Sequence, residues 1–426
     1  MRVRTFVCHV MVASLILSLF SILAVAKERE FAGETIYVAM IYEPREEALK
    51  KMTSEFEKKT GIKVLVDLLG FEDLVTKTLA SSQAKTGEYD IMQLNYMELP
   101  FYGSSGWLYD LTSWVRRDAI EVRPDDFHHV LYPTHIKYRD KWYGMPMHVN
   151  SEVLFYRKDI FDEMGFDAPK NWDDTILKAK AINEKYAGKL YGITFMGAPD
   201  AQLGIEFHSL LASQGGDFYD KNTYEPLIDT PEGAKAMSIL QNLVKYAPPG
   251  VSGYALDANY NAFAQGQAAM CVAWTTGVFF FGDPKQSKIV DKWEVMSLPG
   301  GYSILGGWSI VISEYSEHKG AAWEWIKWAT SYDMERKLLG NMESPRLSIL
   351  LDPKVQKDWP NNRVFLETLE KSPTIMPQVK VAIELWQKSA IAANEVEIGI
   401  TKPKEALKRL QKEFTDIMTQ AGYLKK

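Results

Sequence analysis

Thr35-Ile36-Tyr37-Val38-Ala39-Met40-Ile41-Tyr42 is a run rich in β formers without clean alternation, the pattern of a strand covered on both faces. A helix is predicted directly after it. Pro44 suits the first helical position, and Glu46 and Glu47 favour the positive end. Leu49, Met52 and Phe56 trace one face at spacings of three and four, and Gly61 suits the residue past the end. A strand over 62–69, a helix over 72–83 and a strand over 90–94 repeat the order. Such alternation implies a parallel α/β sheet, on which ligands sit beyond the carboxyl ends of the strands.

Outward from that block the composition shifts at Tyr143-Gly144-Met145-Pro146, and a strand-like run over 152–156 follows, so a first crossover between lobes is expected here. Helical patterns dominate 171–246, broken by a strand over 190–195 and by Gly215-Gly216. A strand near 295–301 and another over 308–312 would return the chain to the first lobe. A helix with Ala322, Trp325, Ile326 and Ala329 on one face comes next. The last third is helical, with Ala406, Leu407, Leu410, Phe414, Ile417 and Met418 forming a stripe after Pro403.

The chain has 426 residues, enough for two or three domains, and its 46% hydrophobic and 24% charged residues are globular proportions, so disorder and a disulfide-stapled scaffold are excluded. Lys and Arg total 49 against 55 Asp and Glu, and no basic block stands out, so nucleic acid is not an expected partner. The 12 Trp, 21 Tyr and 19 Phe exceed what a core of this size needs, which leaves some to grip rings.

Residues 1–26 read as a cleavable secretory signal. Arg2 and Arg4 precede an uncharged stretch from Val10 to Val25, too short to span a membrane, and Ala24-Val25-Ala26 supplies small residues at the cleavage positions. Cys8 falls inside the signal, which leaves Cys271 alone and no internal disulfide. With no lipidation cysteine at the end of the apolar run, a periplasmic protein is expected.

Catalytic patterns are missing: there is no Gly-x-Ser-x-Gly, no His-Glu-x-x-His, no phosphate loop and no Gly-x-Gly-x-x-Gly. His128 and His129 are adjacent, so their rings are expected to diverge and to make no chelate. Cys271 sits in an apolar stretch and reads as a buried small hydrophobe. No metal and no cofactor are expected. A carboxylate pair is not excluded by any pattern.

Several ordered blocks together resemble a known family. They are Phe56-Glu57-Lys58-Lys59-Thr60-Gly61-Ile62-Lys63-Val64, Tyr89-Asp90-Ile91-Met92, Gly106-Trp107-Leu108-Tyr109-Asp110-Leu111 and Tyr143-Gly144-Met145-Pro146. Further on come Leu154-Phe155-Tyr156-Arg157-Lys158-Asp159-Ile160-Phe161, Pro169-Lys170-Asn171-Trp172, Phe263-Ala264-Gln265-Gly266-Gln267-Ala268-Ala269-Met270 and Gly306-Gly307-Trp308-Ser309. In order and spacing they resemble the extracellular solute-binding proteins of ABC importers, in the carbohydrate-binding group that includes maltose-binding protein. The resemblance implies a two-lobed α/β periplasmic-binding-protein fold of type II, a hinge of crossing strands and a ligand cleft between lobes. The expected lobes are 27–146 with 299–342, and 147–298 with 343–426. It implies a monomer that captures a sugar or sugar alcohol by hinge closure and delivers it to the transmembrane subunits of an ABC permease.

Sugar rings present apolar faces and a rim of hydroxyls, so a site needs aromatic platforms with a few amides or carboxylates. By the resemblance Trp386 is the stacking platform, with Trp274 and Trp308 as further aromatic candidates. Asn95, Tyr96 and Glu98 follow a strand whose end supplies ligand contacts in the family, and Asn150 matches a sugar-binding position of the other lobe. Glu43 and Arg45 occupy a loop where relatives place charged groups; Gln202, Glu206 and Arg346 complete the expected set. Trp172 reads as a structural residue at a helix start, and Trp323, Trp325 and Trp328 as helix packing. Two other readings compete. One is a secreted carbohydrate hydrolase with two cleft carboxylates; the other keeps the fold and changes the solute to a polyamine, a ferric ion or another small molecule.

Overall fold

The computed structural model describes residues 29–340, 343–371 and 379–425. The expected signal and Cys8 lie outside the described residues. The main elements are β1 (Thr35–Ile41), α1 (Pro44–Thr60), β2 (Lys63–Leu69), α2 (Phe71–Ala84), β3 (Ile91–Asn95), α3 (Leu99–Ser105) and β4 (Gly144–Arg157). Next come α4 (Trp172–Tyr186), α5 (Ala201–Ser213), α6 (Pro231–Val244), α7 (Leu256–Ala264), β5 (Met270–Trp274), β6 (Trp293–Ser297) and β7 (Leu305–Ile312). The described chain ends with α8 (Lys319–Ala329), α9 (Tyr332–Leu338), α10 (Pro360–Lys371), α11 (Ala382–Glu397) and α12 (Pro403–Gln420). Packing divides it into two compact units. The first takes residues up to Gln93, with Gly106–Tyr109 and Ile310–Leu338; the second takes Leu94–Ser105, Asp110–Ser309 and Leu339 onward.

In the first unit β1 is the central strand. It pairs in parallel with β2 from Thr35↔Lys63 to Ile41↔Leu69, and with β3 through Val38↔Ile91 and Ala39↔Met92. The α1 boundaries follow the sequence signals. Pro44 opens it, Leu49 and Phe56 bury, and Gly61 closes it in the left-handed conformation. Phe56 meets Trp328 at 5.5 Å between ring centroids, and the buried Arg45 guanidinium donates to Glu335 of α9 at 2.5 Å. Removing either partner of such a pair would strand a buried charge. Asp90 accepts from the backbone N–H of Tyr37, while Gln93 accepts from that of Ile41 and donates to Glu46, so polar side chains tie β3 to β1.

The second unit is built on β4, which pairs antiparallel with β5 (Glu152↔Trp274 to Tyr156↔Met270) and with β6 (Val153↔Ser297 to Arg157↔Trp293). Its side chains alternate between two cores. Leu154 and Tyr156 enter the large cluster that includes Trp172, Phe207, Trp274, Trp386 and Phe414; Val153 and Phe155 enter a smaller one with Phe263, Cys271 and Phe281. Covering on both faces explains why Val153, Leu154, Phe155 and Tyr156 are apolar in succession. The expected stripes on α8 and α12 are buried, as are Trp323 and Trp325.

Three expectations need correction. The strand expected over 152–156 spans Gly144–Arg157, because the backbone runs on extended through Pro146 and the Gly144 boundary signal does not end it. Residues 190–195 make isolated parallel bridges, Tyr191↔Ala268 and Thr194↔Cys271, in place of a strand. The Gly192 N–H between them turns to Tyr246 O and to the Asn183 side chain, which interrupts the ladder. The His128 and His129 rings do not diverge; their centroids are 4.4 Å apart, since His128 precedes a short 3₁₀ turn and is neither helical nor in a strand.

Helices α5 and α11 are in close contact at Gly204. A Cβ there would stand 2.1 Å from Trp386 O and 2.7 Å from its carbonyl carbon, and backbone atoms cannot rotate away. Gly204→Ala should therefore lower stability by about 2–3 kcal/mol, measured as a shift of the denaturant midpoint. A neutral or stabilising substitution would contradict this packing.

Candidate functional site

Alternation on β4 places Asn150 and Glu152 on the same face as Leu154, toward the large core of the second unit. Glu152 is fully buried. Its Oε2 accepts from the Ser209 hydroxyl of α5 at 2.7 Å, and its Oε1 has no hydrogen-bond partner among the described residues. Trp274, opposite Glu152 on β5, donates its indole N–H to Gln202 Oε1 at 2.9 Å. Gly306 allows the next contact: a Cβ there would meet Asn150 Oδ1 at 2.1 Å and the Trp274 ring at 2.7 Å, so only glycine leaves room for this amide beside this ring. Asn150 Oδ1 is buried and also without a partner among the described residues.

Tyr96 joins the cluster from the end of β3. Its backbone N–H donates to Gly307 O at 3.2 Å, and its ring lies 6.1 Å from His135, nearly parallel, and 6.1 Å from Trp386, edge-on. The Tyr96 hydroxyl and the Trp386 Nε1 are buried without partners among the described residues. Burial, helped by the charge of Glu152, holds the Tyr96 phenol well above its ordinary pKa, so it is an O–H donor at any working pH. Trp386 is completely covered in this conformation and also lies 6.4 Å from His208. Buried polar atoms cost roughly 1–3 kcal/mol each when nothing meets them, so such a group of donors and acceptors is suited to meeting a ligand.

Asn95 and Glu98 shape the loop that carries Tyr96. Asn95 Oδ1 accepts from Met97 N at 3.1 Å, and Glu98 Oε2 accepts from Asn95 N at 2.8 Å. Burial pushes the Glu98 carboxyl up to about 7, opposed by that backbone hydrogen bond. Glu206, on α5, is buried and accepts from Met196 N at 3.0 Å; burial, then the neighbouring Glu152, raise its pKa well above the ordinary value. Burial also raises Glu152.

The remaining expected residues lie elsewhere in their units. Arg346 is buried against Phe127, its guanidinium 4.9 Å from the ring, and donates to Val122 O and Asp126. Trp308 is buried on β7. In the first unit Arg45 holds the ion pair with Glu335, and half-buried Glu43 precedes α1. Sequence reasoning missed Glu152, Ser209 and His135. The Asn150 alternation points to Glu152 two residues on; nothing local marks Ser209, which meets Glu152 only through α5 packing. His135 hydrogen-bonds Thr134 and Gly306 O, and burial pushes it down to about 3, so its ring is neutral.

The profile described as "Bacterial extracellular solute-binding protein" matches residues 42–335, and the chain belongs to that family. A probable amino-acid ABC transporter periplasmic-binding protein of Sinorhizobium fredii is 24% identical over 94% of this chain and 93% of its own length. The mannitol-binding protein of Pseudomonas aeruginosa is 24% identical, covering 92% and 95%. An ABC transporter solute-binding protein from Agrobacterium radiobacter, solved in complex with ribitol, superposes with a TM-score of 0.81 at 28% identity, covering 91% of this chain and 99% of that one. The two-lobed α/β fold expected from the sequence is thus the fold of this chain. The family is one of binders, so the hydrolase reading falls. Among the described residues no helix is long and apolar enough to cross a membrane.

Glu98 generates a pH prediction. Its folded pKa, near 7, exceeds the ordinary 4.5, so between these values the folded state holds a proton that the unfolded state has lost. Stability is unaffected below that window, falls as pH rises through it, and levels off above. Glu98→Gln should match the wild type at pH 4 and exceed it by on the order of 2–3 kcal/mol above pH 7, in denaturant titrations at both values. A difference independent of pH would refute this assignment.

Proposed function

We propose that this protein is the periplasmic solute-binding component of an ABC transporter that captures a carbohydrate or sugar alcohol and hands it to the membrane permease. The observation that carries the reading is the meeting of Tyr96, Asn150, Glu152, Trp274 and Trp386 in one unit, where a hydroxyl, an amide oxygen, a carboxyl oxygen and an indole N–H have no partner among the described residues. A polyhydroxylated molecule supplies both donors and acceptors, and its C–H faces suit the rings. Relatives named for mannitol, arabinooligosaccharide and erythritol or threitol, and the ribitol complex, support the same class.

The other expected residues, Glu43, Arg45, Asn95, Glu98, Gln202, Glu206, Trp308 and Arg346, belong to this proposal with different weights. Gln202 orients Trp274; Asn95 and Glu98 set the Tyr96 loop; Arg45 and Arg346 are held in ion pairs and act as supports. Cleavage of residues 1–26, the lobe limits 27–146 with 299–342 and 147–298 with 343–426, hinge closure and a monomeric state are parts of the same reading.

A thermal-shift panel of pentitols, hexitols, monosaccharides and maltooligosaccharides tests it. A solute at 100 times its Kd adds about 2.7 kcal/mol of stability. Asn150→Ala should weaken binding of the responding solute about tenfold, equivalent to about 1.4 kcal/mol, in calorimetric titration. No response to any panel member would reject the carbohydrate class.

A further inference from the structure

In addition to the covered cluster, the second unit carries a groove of about 860 Å³, walled by α3, by the hairpin that pairs Tyr138↔Lys141, and by the start of α11 and the end of α12. Four rings line it: Phe101 of α3, Tyr138 of the hairpin, Tyr224, and Tyr423 just past α12. All are half-buried, so each keeps part of its surface open. Their places are fixed. The Tyr423 hydroxyl accepts from Lys380 N at 3.0 Å, and its ring centroid lies 4.9 Å from that of Tyr224. Tyr138 packs against α3 at Gly103, where a Cβ would come within 3.0 Å of the Tyr138 Cβ, and the Arg139 guanidinium lies 5.4 Å from the Tyr138 ring.

Rings set in a polar rim suit a chain of sugar residues, whose C–H faces lie on the aromatics while their hydroxyls turn to the rim. That rim carries exposed Ser104, Arg139, Lys380 and Glu384, and the three charged groups form no ion pair among the described residues. An apolar loop of a partner protein would desolvate those charges without pairing them, whereas hydroxyls can hydrogen-bond all three. The volume lies toward the upper end of the roughly 300–1,000 Å³ that ligand pockets span, more than one sugar ring needs. Groove and cluster also share their supports. Helix α3 starts at Leu99, directly after the Tyr96 loop, and α11 sends Glu384 to the groove and Trp386 to the cluster. Ile417 of α12 lines the groove and belongs to the core that holds Tyr96 and Trp386, and Tyr224 and Tyr423 pack against that core.

We propose that the solute is an oligosaccharide, and that this groove takes the residues that follow the one met by Tyr96 and Trp386. This deepens the carbohydrate reading of the site and rests on it. A pentitol or hexitol would meet the cluster alone and leave Tyr138 and Tyr423 without a part in binding.

Isothermal titration of the full chain tests the proposal with malto-, cello-, xylo- and arabino-oligosaccharides, each series running from the monosaccharide to the pentasaccharide, alongside ribitol and mannitol. In at least one series affinity should rise tenfold or more between the shortest member that binds and the tri- or tetrasaccharide. The longer member should also slow hydrogen exchange of the wild type over 137–142 and 420–424, where the short one does not. Tyr423→Ala and Tyr138→Ala should each remove most of the gain with length; the exchange footprint does not depend on either variant folding. Affinity that is level or falls with length in every series, or a polyol that binds as tightly as any oligosaccharide, overturns the proposal and leaves the carbohydrate reading standing. So does a gain with length whose footprint misses both segments. Binding of no saccharide and no polyol overturns both.

Discussion

The burial of Glu152 on β4 is the constraint around which the second unit is arranged. A carboxyl with no exposed surface needs hydrogen bonds or a proton, and this one has a single donor, Ser209. To supply it, α5 must lie with Ser209 facing β4, and α5 in turn is fixed by α11 through the contact at Gly204 and Trp386. The helix pair that satisfies one oxygen is thus the pair that brings Trp386 to Tyr96. The other oxygen, with the Tyr96 hydroxyl, the Asn150 amide and the Trp386 indole, carries a desolvation cost that apolar packing around it offsets.

In the proposed reading such a cluster is a site prepared before its ligand arrives. The donors and acceptors are held by elements whose other side chains are in the core: Leu154 and Tyr156 fix β4, Leu203, Phe207 and Leu211 fix α5, and Leu385 and Ala393 fix α11. Little rotamer freedom is left to lose on binding, which favours affinity. The Tyr96 loop follows the same logic at shorter range, because Asn95 and Glu98 close it on its own backbone and leave the tyrosine side chain pointed inward. Stability that a wholly apolar core would have gained is given up at Glu98, Glu152 and Glu206, where burial raises the carboxyl pKa values.

Much of this was legible in the sequence. The β1–α1–β2–α2–β3 block needed only periodicity and caps, because each element there is specified by residues within itself. Asn150 and Trp386 came from ordered motifs, and the structure places both in one unit with Tyr96 and Trp274. The errors share a cause. Residues 190–195 have strand composition but lose their ladder to Asn183 and to the distant Tyr246, and β4 continues through Gly144 and Pro146 because β4 is held from outside the segment. Arg45 and Arg346, expected at the ligand from their loops, pair with Glu335 and Asp126, contacts that no local signal announces.

Composition, local periodicity and ordered motifs by themselves determined the α/β class and the family. Tertiary structure alone decided which buried oxygens and nitrogens find a partner. Pairing of a buried polar atom depends on what packs against it from another element, as Ser209 does on Glu152 and Gln202 on Trp274, and such partners lie 57 and 72 residues away in the chain, beyond any local signal.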